Sequence, residues 1–150
     1  MSNKVLTTLK VRHRFARSNK WKLLKKACFL MSKASNSLAN QALYEIKQHY
    51  NKTWEFIKFW ELDKLIRDSK ELDNMKEPYN KNYKSLIANS AQWTIKTIYN
   101  EYKSYFALLK KKKDWKYEAE VNEPHFKKSW WLFKVVYAKN NIDMISHHTQ

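Results

Sequence analysis

Glycine is missing from this 150-residue chain, where average usage of about 7% would supply roughly ten. Motifs that need positive φ or a backbone lying close against a phosphate are thereby excluded, among them Walker loops, dinucleotide fingerprints and nucleophile elbows. A single cysteine, Cys28, excludes an internal disulfide framework and any multi-cysteine zinc site. No apolar run is long enough to span a membrane, and the opening MSNKVLTTLK has no secretory apolar core. These absences predict a cytoplasmic protein without a membrane partner. Negative charge is also scarce: 14 Asp+Glu stand against 30 Lys+Arg, a formal net charge of +16. Such an excess on a chain with 43% hydrophobic and 15% aromatic residues predicts a folded domain with a polyanionic partner, foremost nucleic acid, rather than a disordered basic tail.

The pattern along the chain predicts helices framed by strands. From Val5 to Phe15 the residues alternate, with Val5, Leu9, Val11 and Phe15 on one side and Lys4, Lys10, Arg12 and Arg14 on the other, the period of a half-buried strand with a basic face. Ser18 suits the cap of a helix running to about Tyr50, with an apolar stripe of Trp21, Leu24, Cys28, Met31, Ser35, Leu38 and Ala42. Its opposite face carries Lys20, Lys22, Lys25, Lys26 and Lys33. The segment TWEFIKFW, Thr53 to Trp60, fits strand or helix entry equally. Helical spacing resumes from Glu61 to Leu72, and Asp73 to Tyr83, with Pro78, reads as a loop. A long helix from about Ser85 follows, striped by Ile87, Ala91, Ile95, Ile98, Tyr102, Tyr105, Phe106 and Leu109 and ending in Lys110 to Lys113. Cations there also complement the helix macrodipole. Asp114 to Glu123 reads as a charged linker, and Trp130 to Tyr137 has the β-branched and aromatic content of a buried strand.

Catalytic chemistry finds no support in the residues. The acids Asp63, Asp68, Glu71 and Asp73 lie on one helix or its end, Glu118, Glu120 and Glu123 lie in the linker, and all are expected to face solvent. The five histidines form no metal-ligand pair at helical spacing, and Cys28 on an apolar stripe is expected to be buried core. No catalytic residue, metal or cofactor is predicted. What stands out is basic residues interleaved with aromatics: Arg12, Arg14 and Arg17 beside Trp21; Lys110 to Lys113 and Lys116 beside Trp115 and Tyr117; Lys127 and Lys128 beside Trp130 and Trp131. Cations track phosphates while aromatic faces accept unstacked bases. Trp21 and one of Trp130 and Trp131 are expected to be core.

The order of these parts resembles the N-terminal portion of TnpB-type transposon-encoded RNA-guided nucleases, the OrfB-class transposases related to type V CRISPR effectors. The residues carrying the resemblance are LTTLKVRHRF, the helix with Gln92, Tyr102, Lys103, Tyr105 and Phe106, the stretch Pro124, Phe126, Lys127, Lys128, and then Asn140, Asn141, Ile142. The chain departs from the family pattern at FARSN, Ala88 and Ala138-Lys139. The resemblance implies an α+β, mainly α fold, in which a helical recognition lobe is inserted between strands of a partial β-barrel. The parts would be residues 1–17 as first barrel strand, 18–112 as helical insertion, 113–129 as basic linker, 130–142 as returning strand and 143–150 as tail. An incomplete barrel would leave an aromatic edge at Trp130, Trp131, Phe133 and Tyr137 open to association.

The resemblance also implies binding of guide RNA and/or target DNA. Together with the basic clusters it nominates Lys10, Arg12, Arg14, Arg17, Lys22, Lys26, Gln92, Lys103, Lys110, Lys111, Lys112, Lys113, Lys127, Lys128, Trp130 and Lys139 as the contact set. Gln92 would lie near the short duplex motif that the family reads. The partners expected are structured RNA and/or double-stranded DNA, and a separately encoded nuclease half, because the RuvC-like carboxylates and zinc ribbon have no counterpart in these residues. The alternative is a free-standing basic DNA-binding regulator with Ser18 to Tyr50 as reader helix. A reader needs Arg, Asn or Gln near its first turns, and this helix offers mainly Lys.

Overall fold

The computed structural model describes residues 19–69 and 78–137, and these form four helices: α1 (Asn19–Thr53), α2 (Phe59–Asp68), α3 (Lys81–Lys84) and α4 (Ala88–Lys113). The core lies where the stripes of the two long helices meet. Ser35, Leu38, Ala39, Ala42, Leu43 and Ile46 of α1 are buried against Ser90, Ala91, Thr94, Ile95, Ile98 and Tyr102 of α4. Small residues on both sides allow close approach, and the Ser35 and Thr94 hydroxyls lie 2.9 Å apart between the helices. Farther along, the Tyr50 and Phe106 rings meet with centroids 4.9 Å apart. Since both residue numbers rise together, α1 and α4 run parallel. Parallel neighbours need a crossover rather than a tight turn, and α2 and α3 supply it, contributing Leu62, Ile66, Tyr83 and the following Leu86 to the core.

The ambiguous segment Thr53 to Trp60 resolves into a helix end and a helix start. Thr53 closes α1, Ile57 is buried, and Phe59 opens α2, where the Glu61 carboxylate accepts the Lys58 N–H at 3.4 Å. Aromatic density here serves packing: Phe56 stacks on Tyr99 at 4.9 Å and Phe59 meets the same ring edge-on at 5.7 Å. The loop expected from Asp73 contains α3 at its end.

Absence of glycine does not prevent positive φ. Trp54 has φ 59° and Trp115 φ 57°, a conformation costing a non-glycine residue about 1–2 kcal/mol. Each stands just past a long helix. The Trp54 N–H donates to the Tyr50 carbonyl at 2.8 Å, a left-handed cap. After α4, the Trp115 N–H donates to Lys112 at 3.1 Å and the Lys116 N–H to Lys111 at 2.9 Å, the two bonds of a Schellman motif. Tryptophan occupies the place where glycine is usual.

The partial β-barrel is not present among the described residues: they contain no strand. The first strand, residues 1–17, and the end of the returning one, residues 138–142, lie outside them, as does the tail. Trp130 to Tyr137 belongs to a strap without strand pairing instead, interrupted by a turn in which the Trp131 N–H donates to the Lys128 carbonyl at 3.0 Å. Beginning near Glu123, the strap runs antiparallel to α1 and α4 along the groove between them. Phe133 and Val135 pack toward the core while Leu132 and Lys134 are exposed, so the period of two is real, but its floor is a helix pair. Side chains replace the ladder. Asn40 donates to the Lys127 carbonyl at 2.8 Å and accepts the Lys127 N–H at 2.7 Å, and Asn36 donates to the Lys128 carbonyl at 3.0 Å. Ser35 donates to Lys134 at 3.0 Å, Ser90 to Val136 at 2.6 Å, and the Phe133 N–H reaches the Ser32 carbonyl at 3.2 Å. Among the described residues the exposed barrel edge therefore has no counterpart, and both Trp130 and Trp131 are exposed rather than core.

The paired bonds of Asn40 make a specific expectation. Asn40→Ala strands both main-chain groups of Lys127 in a partly buried setting and is expected to cost about 1–3 kcal/mol, with faster amide exchange at Lys127 and Lys128. An amide at Lys127 as protected as in the wild type would show that the strap is held elsewhere.

Candidate nucleic-acid interface

The N-terminal half of α1 departs from its expected stripe. Leu24 and Cys28 are exposed, as are Leu23, Phe29 and Leu30, whereas burial of the stripe sets in fully at Ser35. A lysine face thus becomes a lysine-rich helical stretch of about three turns with no deep packing: Lys22, Lys25, Lys26 and Lys33 are exposed, with Lys25 over the Trp21 ring at 5.4 Å and Lys33 over Phe29 at 4.9 Å. Trp21 is half-buried and has a partner.

A second basic group closes α4. Lys103 and Lys110 to Lys113 are exposed, and none forms an ion pair with a described residue. Trp115 beyond them is 95% exposed. The parallel arrangement keeps the two groups apart. Nine residues separate Lys26 from Ser35 and sixteen separate Thr94 from Lys110, so at a rise of ~1.5 Å per residue the groups lie about 38 Å apart along the axes.

The remaining nominees divide. Lys127 is largely covered, its ammonium 3.6 Å from Glu101 and 5.1 Å from the Phe133 ring centre, so its charge is used within the fold. Lys128 is exposed with its ammonium 5.1 Å over the Trp130 ring, and that exposed pair stays available. Gln92 is half-buried and faces the Tyr83 hydroxyl, which ties it to the α3–α4 contact. Lys10, Arg12, Arg14, Arg17 and Lys139 lie outside the described residues.

Two carboxylates expected in solvent are structural. Asp63 is buried, accepting the Tyr83 hydroxyl at 3.2 Å and facing Arg67 at 3.4 Å. Glu123 accepts the Tyr102 hydroxyl at 2.9 Å and pairs with Lys47 at 3.2 Å. For Glu123 the signal is Tyr102 on the α4 apolar stripe, whose hydroxyl needs an acceptor once the ring is buried; for Asp63 there is none, because Tyr83 stands in a stretch that reads as a loop. Asn36, Asn40 and Ser90, which hold the strap, carried no sequence signal, since their partners are carbonyls and N–H groups that any residue has.

Burial, and then the negative charge of Asp63, pushes the Tyr83 phenol up to about 12. Burial likewise raises Tyr79 beside Glu45 and Tyr102 beside Glu123. A raised folded-state value favours the protonated form on folding, so this stabilisation is complete below pH ~10, the unfolded phenol value, and is lost as pH climbs toward 12. The chain is expected to unfold progressively above pH ~10, and Tyr83→Phe to flatten that alkaline slope in a denaturation series. An unchanged slope would remove Tyr83 from the cause.

An open cleft of about 600 Å³ lies between α4 and the strap, lined among others by Glu101, Glu120, Tyr105 and Lys134. Its two carboxylates disfavour a phosphate. No group of three or more His, Cys, Asp or Glu side chains suited to a metal ion occurs among the described residues, and none of their helices is long and apolar enough to cross a membrane. Compared with family models, with curated proteins and with solved structures, the chain finds no match.

Proposed function

We propose that this chain is a nucleic-acid-binding helical module which engages structured RNA and/or double-stranded DNA through phosphate contacts and performs no cleavage by itself. The observation that carries the reading is the end of α4, where Lys110 to Lys113 present four exposed ammonium groups that form no ion pair with a described residue, followed closely by the exposed Trp115. Lysine is a compact point charge suited to phosphates and carries little base information. Lys22, Lys25, Lys26 and Lys33 on α1 form a second contact region and Lys128 with Trp130 a third. Separation of the two helical groups by about 38 Å is close to one turn of a duplex, roughly 34–36 Å. The resemblance to the helical lobe of TnpB-type proteins supports the same partner class.

A filter-binding titration at 50 mM salt with a structured RNA and a duplex DNA tests the proposal. Saturable retention of either is the expected result. Absence of retention of both would overturn it.

A further inference from the structure

The tryptophan beyond α4 closes the helix through its backbone, while its side chain stands almost wholly in solvent. Its backbone occupies the left-handed region at φ 57°, a place that glycine would fill without crowding. Its side chain is 95% exposed and meets no aromatic ring among the described residues. A large apolar group is therefore held out, at a position disfavouring it, immediately after Lys110 to Lys113 and before Lys116. Residues kept in sparsely populated backbone conformations cluster at binding sites, where the conformation serves to aim a side chain.

Indole offers a broad π face, and the lysines that precede and follow it in the chain supply charge for the phosphates flanking a nucleotide. An unpaired base can lie on such a face, whereas a base inside a duplex has both faces covered by its neighbours. Trp54, the other left-handed residue, is 78% exposed at the C-terminal end of α1 and follows Lys52. Parallel packing puts it at the same end of the pair. Counting from the Tyr50–Phe106 contact, Trp54 stands four residues on and Trp115 nine, a stagger of about 8 Å along the axis at ~1.5 Å per residue.

We infer that Trp115, framed by Lys110 to Lys113 and Lys116, is a stacking platform for an unpaired base of a single-stranded RNA or DNA segment, with Trp54 as the neighbouring platform. The inference rests on the nucleic-acid reading above and deepens it: the α4 end prefers loops and single strands over continuous duplex.

Fluorescence anisotropy with the full chain decides it, using a 12-nucleotide single strand as RNA and as DNA and the same sequence as a blunt duplex. W115G is expected to bind the single strands 5- to 150-fold more weakly, the range for loss of one base–aromatic stack. Duplex binding should stay within twofold, and W115F, which keeps a π face, should bind the single strands within about fivefold of wild type. The thermal midpoint of W115G should be unchanged or higher, because glycine relieves the left-handed backbone. Affinity and stability thus move in different directions. Wild-type affinity of W115G for both single strands overturns the inference and leaves salt-dependent binding standing. A lowered midpoint with equal losses on single strand and duplex overturns it in favour of a structural role. Trp115-dependent uptake onto vesicles of phosphatidylserine and phosphatidylcholine, with none on the single strands, overturns it in favour of a lipid surface. No binding of any nucleic acid by the wild type overturns both readings.

Discussion

Raising salt from 50 to 200 mM is expected to weaken nucleic-acid binding by roughly three to four decades if five to seven phosphates are neutralised on a duplex. Each neutralised phosphate releases condensed counterions, so the logarithm of the affinity falls with the logarithm of salt by about 0.9 per contact. The number of contacts follows from exposure. Lys22, Lys25, Lys26, Lys33, Lys103, Lys110 to Lys113, Lys116 and Lys128, in the proposed contact regions, are exposed, and five to seven contacts would use about half of them. Lys127 is not counted, because Glu101 and the Phe133 ring hold it, and exposed lysines outside the proposed contact regions are not counted either. Replacing Lys110, Lys111, Lys112 and Lys113 together by Ala should reduce the duplex slope by up to about 3.6 and weaken all sequences alike, since phosphate contacts carry no base information. The same four lysines also complement the helix macrodipole, so the stability of that variant is measured alongside. A slope below about 2 for the wild type would exclude a phosphate-dominated interface, and an unchanged slope in the variant would move the interface away from α4.

Leu38→Ala is expected to destabilise the chain by about 2–5 kcal/mol, a cavity plus the lost transfer energy, and to lower the thermal midpoint by roughly 5–20 °C at about 2–4 °C per kcal/mol for a chain of this size. Leu24→Ala should cost about 1 kcal/mol or less, since surface substitutions away from special features are usually nearly neutral. The two leucines share one helix and one stripe by spacing, yet Leu38 is 0% exposed and Leu24 is 45% exposed. Calorimetry of both variants separates them. Equal losses would mean that something packs on the first turns of α1 as firmly as α4 packs on Leu38.

The contrast shows how far periodicity reaches. It located α1 within a few residues, from Ser18–Tyr50 expected to Asn19–Thr53 observed, and it identified the α4 stripe through Ala91, Ile95, Ile98 and Tyr102, all buried. A stripe states which residues face one way. It does not state whether a neighbour stands there. Ile87, first on the α4 stripe, is accordingly 46% exposed, and Cys28 is exposed as well. The strap shows a second limit: alternation at Phe133 and Val135 looks the same whether the floor is a sheet or two helices, and the resemblance supplied the sheet. Here Asn and Ser side chains of α1 and α4 take the place of ladder partners.

Local chemistry, which needs no knowledge of the fold, determined the positive balance, the two long helices and the lysine run after Leu109, because charge and helical period are properties of neighbours in the chain. Tertiary structure decided what those features do. The parallel course of α1 and α4 sends the Lys22 to Lys33 and Lys110 to Lys113 groups to opposite ends, the crossover brings Tyr83 of α3 to Asp63 of α2, and the strap brings Glu123 to Tyr102 and Lys127 to Glu101. Positive φ at Trp54 and Trp115 likewise could not be read from a chain without glycine, because the conformation is imposed by bonds back to Tyr50, Lys111 and Lys112 as each helix ends, and those bonds offset the crowding of a Cβ.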